Sequence, residues 1–221
     1  MSPESCSAVI FDLDGTLLDT LEDLAESMNA VLEEMGFSIH PPDKYRCFVG
    51  DGVTALARRA LPPAGRDEKT VEACAAKMKE EYSRRWARKT RIYPGVERLL
   101  DTLAEKNIPM NILSNKTADF VPKVVSRFLS GWPFYHVAGL GSKTPKKPNP
   151  QGALNIAEAN RVAPEKFVFL GDSDTDMKTA CRAGMVPVGA EWGFRTREEL
   201  LENGAREVIR HPSELLDWIV S

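Results

Sequence analysis

Apolar positions along this chain follow two different rhythms, and the change between them divides it. Ala8-Val9-Ile10-Phe11 is a continuous apolar run that stops at Asp12-Leu13-Asp14-Gly15-Thr16. Rich in β-branched and aromatic residues, it reads as a buried strand running into a tight turn. From 21 to 35 the rhythm becomes helical, with Leu21, Leu24, Ala25, Met28, Val31, Leu32 and Met35 on one face and Gly36 as the stop. Helical stretches at 53–60 and 68–86 follow, separated by Pro62-Pro63-Ala64-Gly65. Nothing between Leu21 and Lys89 has strand character, so this region reads as an all-helical insert.

Beyond Tyr93-Pro94-Gly95 helices and short apolar strands alternate. The pattern predicts a helix at 96–106, a strand at 110–113 ending at Ser114-Asn115-Lys116, a helix at 118–128 and a short strand near 136–138. It continues with a helix at 151–160, a strand at 167–170 ending at Gly171-Asp172, a helix at 174–183 and a strand at 186–189. A helix at 198–203, a strand at 207–209 and a last helix from Ser213 complete it. Such alternation implies a parallel sheet covered on both faces. The expected architecture is α/β: a discontinuous Rossmann-like core, 1–19 plus 91–221, with a helical cap inserted at 20–90.

Composition narrows the function classes. With 43% hydrophobic and 28% charged residues in 221, the chain suits a globular protein with a sizeable core. Its 29 basic and 32 acidic side chains give a net charge of −3, which argues against a nucleic-acid partner. No apolar run approaches the roughly 18–20 residues of a membrane span. Cys6, Cys47, Cys74 and Cys181 are scattered, without metal-ligand spacing, as expected of reduced thiols. Residues 1–7 show neither a basic segment nor an apolar stretch. The expectation is a cytoplasmic protein, a monomer or homodimer, with no membrane partner.

The chemistry gathers where strands end, the place at which open α/β sheets bind ligands. The first strand delivers Asp12 and Asp14, the second Ser114 and Asn115, and the strand at 167–170 delivers Asp172, with Asp176 one helical turn later; Lys146-Lys147-Pro148 lies between. Two like charges ~4 Å apart repel by about 4 kcal/mol at an effective dielectric near 20. Several such pairs would consume a stability of only ~5–15 kcal/mol. Either some carboxylates are protonated or a cation sits among them. Oxygen-only donors without His or Cys indicate a hard ion, Mg²⁺ or Mn²⁺, with Mg²⁺ the expectation.

These residue types suit phosphoryl transfer. Asp12 can attack phosphorus, and Asp14, two residues on, can protonate the leaving oxygen and then activate water. Ser114 can donate to a phosphate oxygen and Lys147 can offset its charge. Gly15 permits the turn and lets backbone N–H groups approach the phosphate. Asp12 and Asp172 would hold the metal, with Asp176 ligating through water or orienting the others.

The segments Asp12-Leu13-Asp14-Gly15-Thr16-Leu17, Ser114-Asn115, Lys147-Pro148 and Gly171-Asp172-Ser173-Asp174-Thr175-Asp176 resemble, in order and spacing, the four signatures of haloacid dehalogenase-type phosphatases. The resemblance covers essentially the whole chain. It implies an aspartyl-phosphate intermediate and a small phosphorylated metabolite as substrate. It also implies metal contacts from the Asp14 main-chain carbonyl and phosphate contacts from Thr16 and Asn115. An acid at Asp14 favours phosphatase or phosphomutase over the dehalogenase and phosphonatase branches. Leu18-Asp19-Thr20-Leu21-Glu22-Asp23-Leu24, Phe48-Val49-Gly50-Asp51-Gly52-Val53 and Trp192-Gly193-Phe194-Arg195 are similar to the phosphoglycolate phosphatase branch. That similarity makes 2-phosphoglycolate the leading substrate, with a pyrophosphatase, a sugar phosphomutase or a non-catalytic phosphometabolite-binding protein as alternatives.

Plainer roles stand beside these. Ser114-Asn115 can cap a following helix, and Asp174 can serve as a first-turn acid. Arg46, Gly50 and Asp51 either select the leaving group or form an ordinary interhelical turn. The 84–88 basic run reads as a solvated helix face, His40, His136 and His211 as structural, and 192–195 as a packed loop rather than a substrate contact.

Overall fold

The structure, a computed structural model, describes residues 6–141 and 143–219. Most of the residues 1–7 read above for a leader thus lie outside the described residues. The chain divides into two compact units, 1–18 with 92–221, and 19–91.

The first unit is built on a six-stranded parallel sheet. Its strands are β1 (Ala8–Phe11), β4 (Met110–Thr117), β5 (Phe134–Leu140), β6 (Phe167–Gly171), β7 (Val186–Ala190) and β8 (Glu207–Ile209), in spatial order β5-β4-β1-β6-β7-β8. Two-residue strands β2 (Leu18–Asp19) and β3 (Arg91–Ile92) pair where the chain passes from one unit to the other and back. Every residue of β1, β6 and β7 is buried, as strands covered on both faces require. Helices α4 (Val96–Glu105), α5 (Val121–Phe128), α6 (Gln151–Asn160), α7 (Asp174–Ala183) and α8 (Arg197–Glu202) flank the sheet. On one face Ala8 and Ile10 pack with Leu113, Phe167 and Phe169 against Ala153, Ile156 and Ala157 of α6 and Ala180 and Ala183 of α7.

Register is what positions the site. Phe11 lies beside both Ile112 of β4 and Leu170 of β6. Asp12, one residue past Phe11, and Ser114 and Asp172, two residues past Ile112 and Leu170, therefore lie toward the same edge of the sheet. Buried Asn111 helps lock that register, donating to Val9 O at 3.0 Å and accepting from Asn160 at 2.9 Å.

The second unit contains α1 (Leu21–Glu34), α2 (Gly52–Ala60) and α3 (Glu68–Arg85), with 3-10 turns at Pro42–Cys47 and Pro63–Gly65. Met28, Val31 and Leu32 of α1, Leu56 and Ala57 of α2, and Val71, Cys74 and Met78 of α3 are buried. Asp67 caps α3, accepting from Thr70 N at 3.0 Å. No helix among the described residues is long and apolar enough to cross a membrane.

Four local expectations change. β4 does not end at Leu113 but continues to Thr117, because backbone pairing with β5 resumes at Thr117↔Leu140. The polar side chains along that stretch hid it from a hydrophobic reading. The helix expected from 118 begins at Val121, because Ala118 N is bonded back to Leu140 O at 3.0 Å. Ser114 and Asn115 therefore cap no helix. The last helix is a 3-10 run, Pro212–Trp218.

Candidate active site

Asp12 leaves β1 with its amide bonded to Leu170 O at 2.9 Å, so its side chain starts from a fixed backbone. It is 8% exposed, and Asp172 and Asp176 are essentially sealed at 1% and 0%. Carboxylate oxygens of all three lie within 4.8 Å of one another. Lys147, 2% exposed, is wedged into this group, its Nζ donating to Asp12 Oδ1 at 2.8 Å and to Asp176 Oδ1 at 2.5 Å. Lys146 faces outward.

Three carboxylates face one inserted ammonium, and the Arg195 guanidinium also acts on Asp172. Burial holds the Asp12 carboxyl well above the usual carboxylate range, reinforced by the charge of Asp176 and opposed by Lys147. Burial and then Asp176 push Asp172 up to about 7, against the Phe194 N–H and the Thr16 hydroxyl. Burial works against the charge on Lys147, but the Asp12 and Asp176 carboxylates outweigh it and keep the ammonium strongly protonated. Burial and mutual repulsion thus disfavour the charged forms of Asp12 and Asp172, and a cation among them would relieve both. An all-oxygen, anionic, water-poor donor set fits a hard divalent ion.

Other groups fix these carboxylates. Ser173 caps α7 in a reciprocal box: its N–H and Oγ donate to Asp176 Oδ2 at 3.1 and 2.6 Å. The other Asp176 oxygen is left facing Lys147. Asp174, in the first turn, pairs with Lys178 at 2.7 Å. The Thr16 hydroxyl donates to Asp172 Oδ1 at 3.0 Å, and Phe194 N–H donates to Asp172 Oδ2 at 2.8 Å.

Asp14 follows a different course. Its Oδ2 lies 3.2 Å from Lys116 Nζ, and its buried Oδ1 makes no hydrogen bond. The Gly15 N–H is committed to Leu18 O at 2.8 Å. What Gly15 contributes is space at φ +89°: a Cβ there would lie 2.3 Å from Asp172 Oδ2. Ser114 Oγ accepts from Lys116 N at 3.2 Å, leaving its own hydrogen available. Asn115 grips the main chain of Lys147, accepting its N–H at 2.9 Å and donating to its carbonyl at 3.4 Å.

Arg46, Gly50 and Asp51 belong to the helical unit. Arg46 lies in the turn Pro42–Cys47, Gly50 has φ +111°, and Asp51 precedes α2 and pairs with Arg59. Three contributors to the carboxylate cluster escaped the sequence reading. Ser173-x-x-Asp176 is a visible capping pattern, whereas the Phe194 N–H and the space at Gly193 are backbone features with no side-chain signature.

The haloacid dehalogenase-like hydrolase profile matches residues 9–190. A phosphoglycolate phosphatase of Psychrobacter arcticus is 32% identical over 96% of this chain and 95% of its own length. One from Aquifex aeolicus is 32% identical over 84% of this chain and 85% of its own. Among solved structures, a candidate phosphoglycolate phosphatase from Lactobacillus delbrueckii subsp. bulgaricus superposes with TM-score 0.92 at 26% identity, covering 98% of this chain and 99% of that one. A haloacid dehalogenase-like family hydrolase from Streptococcus pneumoniae gives TM-score 0.87 at 20% identity, over 96% and 98%, a likeness of fold alone.

Proposed function

The chain belongs to the haloacid dehalogenase-like hydrolases, and on that premise we propose that it is a Mg²⁺-dependent phosphatase acting on 2-phosphoglycolate through an aspartyl-phosphate. The observation that carries the reading is the buried cluster of Asp12, Asp172 and Asp176 around Lys147 at one edge of the sheet. The relatives named phosphoglycolate phosphatase support the substrate.

In this mechanism an Asp12 carboxylate oxygen attacks phosphorus as the bond to the departing alkoxide breaks. The carboxyl of Asp14, one of whose buried oxygens has no internal hydrogen bond, gives that alkoxide its proton. Asp14 then takes a proton from the water that attacks the aspartyl-phosphate, releasing phosphate and restoring Asp12. The Ser114 hydroxyl donates to a phosphate oxygen, and the Lys147 ammonium offsets charge building on the others. Thr16 and Asn115, assigned to phosphate on the family pattern, shape this space from Asp172 and from the Lys147 main chain.

Asp12, Asp172 and the Asp14 main-chain carbonyl would hold Mg²⁺, with Asp176 supporting them. A divalent ion held there would supply positive charge to offset the carboxylates and the phosphoryl group. Asp12 attacks as its carboxylate, the form that a cation beside it would favour.

The test is phosphate release from a panel of small phosphomonoesters and pyrophosphate, with Mg²⁺ and with EDTA. We expect kcat/KM for 2-phosphoglycolate to exceed every other compound by about tenfold or more, about 1.4 kcal/mol of transition-state discrimination, and EDTA to abolish it. Preferred release from pyrophosphate overturns the substrate; no metal-dependent release from any compound overturns the phosphatase.

A further inference from the structure

The loop 192–195 was expected to be packing. Its contacts say more. The Trp192 indole Nε1 donates to the Thr16 main-chain carbonyl at 3.0 Å, and the Phe194 N–H donates to Asp172 Oδ2 at 2.8 Å. Between them, Gly193 lies so close that a Cβ there would stand 2.2 Å from the Cβ of Asp172. The Thr16 hydroxyl meets the opposite oxygen, Asp172 Oδ1, at 3.0 Å. Thr16 is fully buried and Asp172 is 1% exposed. Each carboxylate oxygen of Asp172 is thus pinned by one donor. The two donors come from opposite ends of the first unit's sequence and are tied together through Trp192.

We propose that Thr16 and the loop 192–195 are positioning residues that hold the Asp172 carboxylate in a fixed orientation for a divalent cation. A threonine hydroxyl has one hydrogen, and here it is spent on Asp172, so the same hydrogen is not available to a phosphate oxygen. Two donors also remove the rotational freedom that Asp172 would otherwise lose on binding a metal. Partners of this kind, one layer behind a ligand, typically contribute ~10–100-fold in metal affinity. The glycine is required because any side chain at 193 would occupy the volume of Asp172. The inference rests on the metal-dependent reading above, and it assigns Thr16 to the cation rather than to the substrate.

The test is calorimetric titration of Mg²⁺ into the purified full chain without substrate, for wild type, Thr16→Val, Thr16→Ser and Gly193→Ala. Thermal unfolding in EDTA establishes that each is folded. Thr16→Val keeps the shape and loses the donor, so its Kd for Mg²⁺ should rise by about tenfold or more, while Thr16→Ser should stay within about threefold of wild type. Gly193→Ala should weaken Mg²⁺ as well; if it does not fold, the threonine pair carries the test. The KM of Thr16→Val for 2-phosphoglycolate, measured at saturating Mg²⁺, separates a loss of cation binding from a loss of substrate binding. Wild type that binds Mg²⁺ alongside Thr16→Val that binds it equally well overturns this inference alone, and a raised KM in that case returns the hydroxyl to the substrate. Wild type that fails to bind Mg²⁺ overturns the metal-dependent reading together with this one.

Discussion

Asp172 concentrates the chemistry of the site in one side chain. Its carboxyl is pushed up to about 7 from an ordinary 3.8, first by burial and then by Asp176. A carboxyl whose folded pKa is raised favours folding while it is protonated. That contribution is complete below about pH 4 and is lost as the pH climbs through about 7. Above that range the metal-free protein carries buried, mutually repelling carboxylates, which a bound cation relieves. The difference in Tm between saturating Mg²⁺ and EDTA should therefore grow from about pH 5 to about pH 8. A difference that stays flat across that range contradicts a metal bound at Asp172.

Lys147 makes the complementary case. Its ammonium is the counter-charge in contact with both Asp12 and Asp176. Lys147→Met keeps much of the stem and removes the charge, leaving two buried carboxylates facing each other. Breaking a buried ion pair from one side typically costs ~3–5 kcal/mol. Urea unfolding in EDTA should register a loss of that order, and Mg²⁺ should recover part of it. An unchanged midpoint would mean that the ammonium is not balancing these acids.

At the residue scale, acids and hydroxyls standing at the ends of apolar runs were legible because binary patterning marks strand ends. Asp12 and Asp172 do lie together, as do Ser114 and the strand β4 that carries it. The Phe194 N–H was not legible. It is a backbone donor 22 residues from its acceptor, and every non-proline residue carries the same group.

Elements repeat this contrast. α6 and α7 were read at their observed bounds, and α1 to within one residue, because their apolar stripes are clear and caps end them. The continuation of β4 through Ser114-Asn115-Lys116 was invisible, since those side chains are polar and the register with β5 is irregular between Leu113↔Ala138 and Thr117↔Leu140. The 3-10 runs at Pro42–Cys47 and Pro212–Trp218 escaped too: each is opened by a proline, and neither is long enough to develop a period.

One element-level lock within the helical unit was also missed. Asp23 of α1 is fully buried and accepts from Lys89 N at 3.1 Å, Thr90 N at 2.9 Å and Thr90 Oγ1 at 2.8 Å. It fastens the end of that unit's chain to its first helix. Asp23→Ala would strand buried donors and should cost about 2–4 kcal/mol. Hydrogen exchange at Lys89 and Thr90 should accelerate along with the loss of stability. Unchanged exchange at those amides contradicts the lock.

Across the molecule, the parallel order β5-β4-β1-β6-β7-β8 explains why residues so distant in sequence meet. β1 sits between β4 and β6, all three run the same way, and each ends at the same edge. The proposed nucleophile Asp12 and the proposed metal-binding acid Asp172 then stand just past the ends of two adjacent strands, and Ser114, the proposed phosphate donor, lies on the neighbouring β4. This much follows from alternating helices and strands, since parallel neighbours put their carboxyl ends together. Strand order does not follow from alternation alone, and it required the register.

In the proposed reaction Asp12 becomes phosphorylated. The direct measurement is a rapid acid quench of wild type mixed with 2-phosphoglycolate labelled with ³²P, in Mg²⁺, followed by mapping of the labelled peptide. Label is expected on the peptide bearing Asp12, lost on treatment with hydroxylamine, with neither label nor turnover in Asp12→Asn. Continued turnover in Asp12→Asn, or label on any other residue, would contradict the proposed reaction.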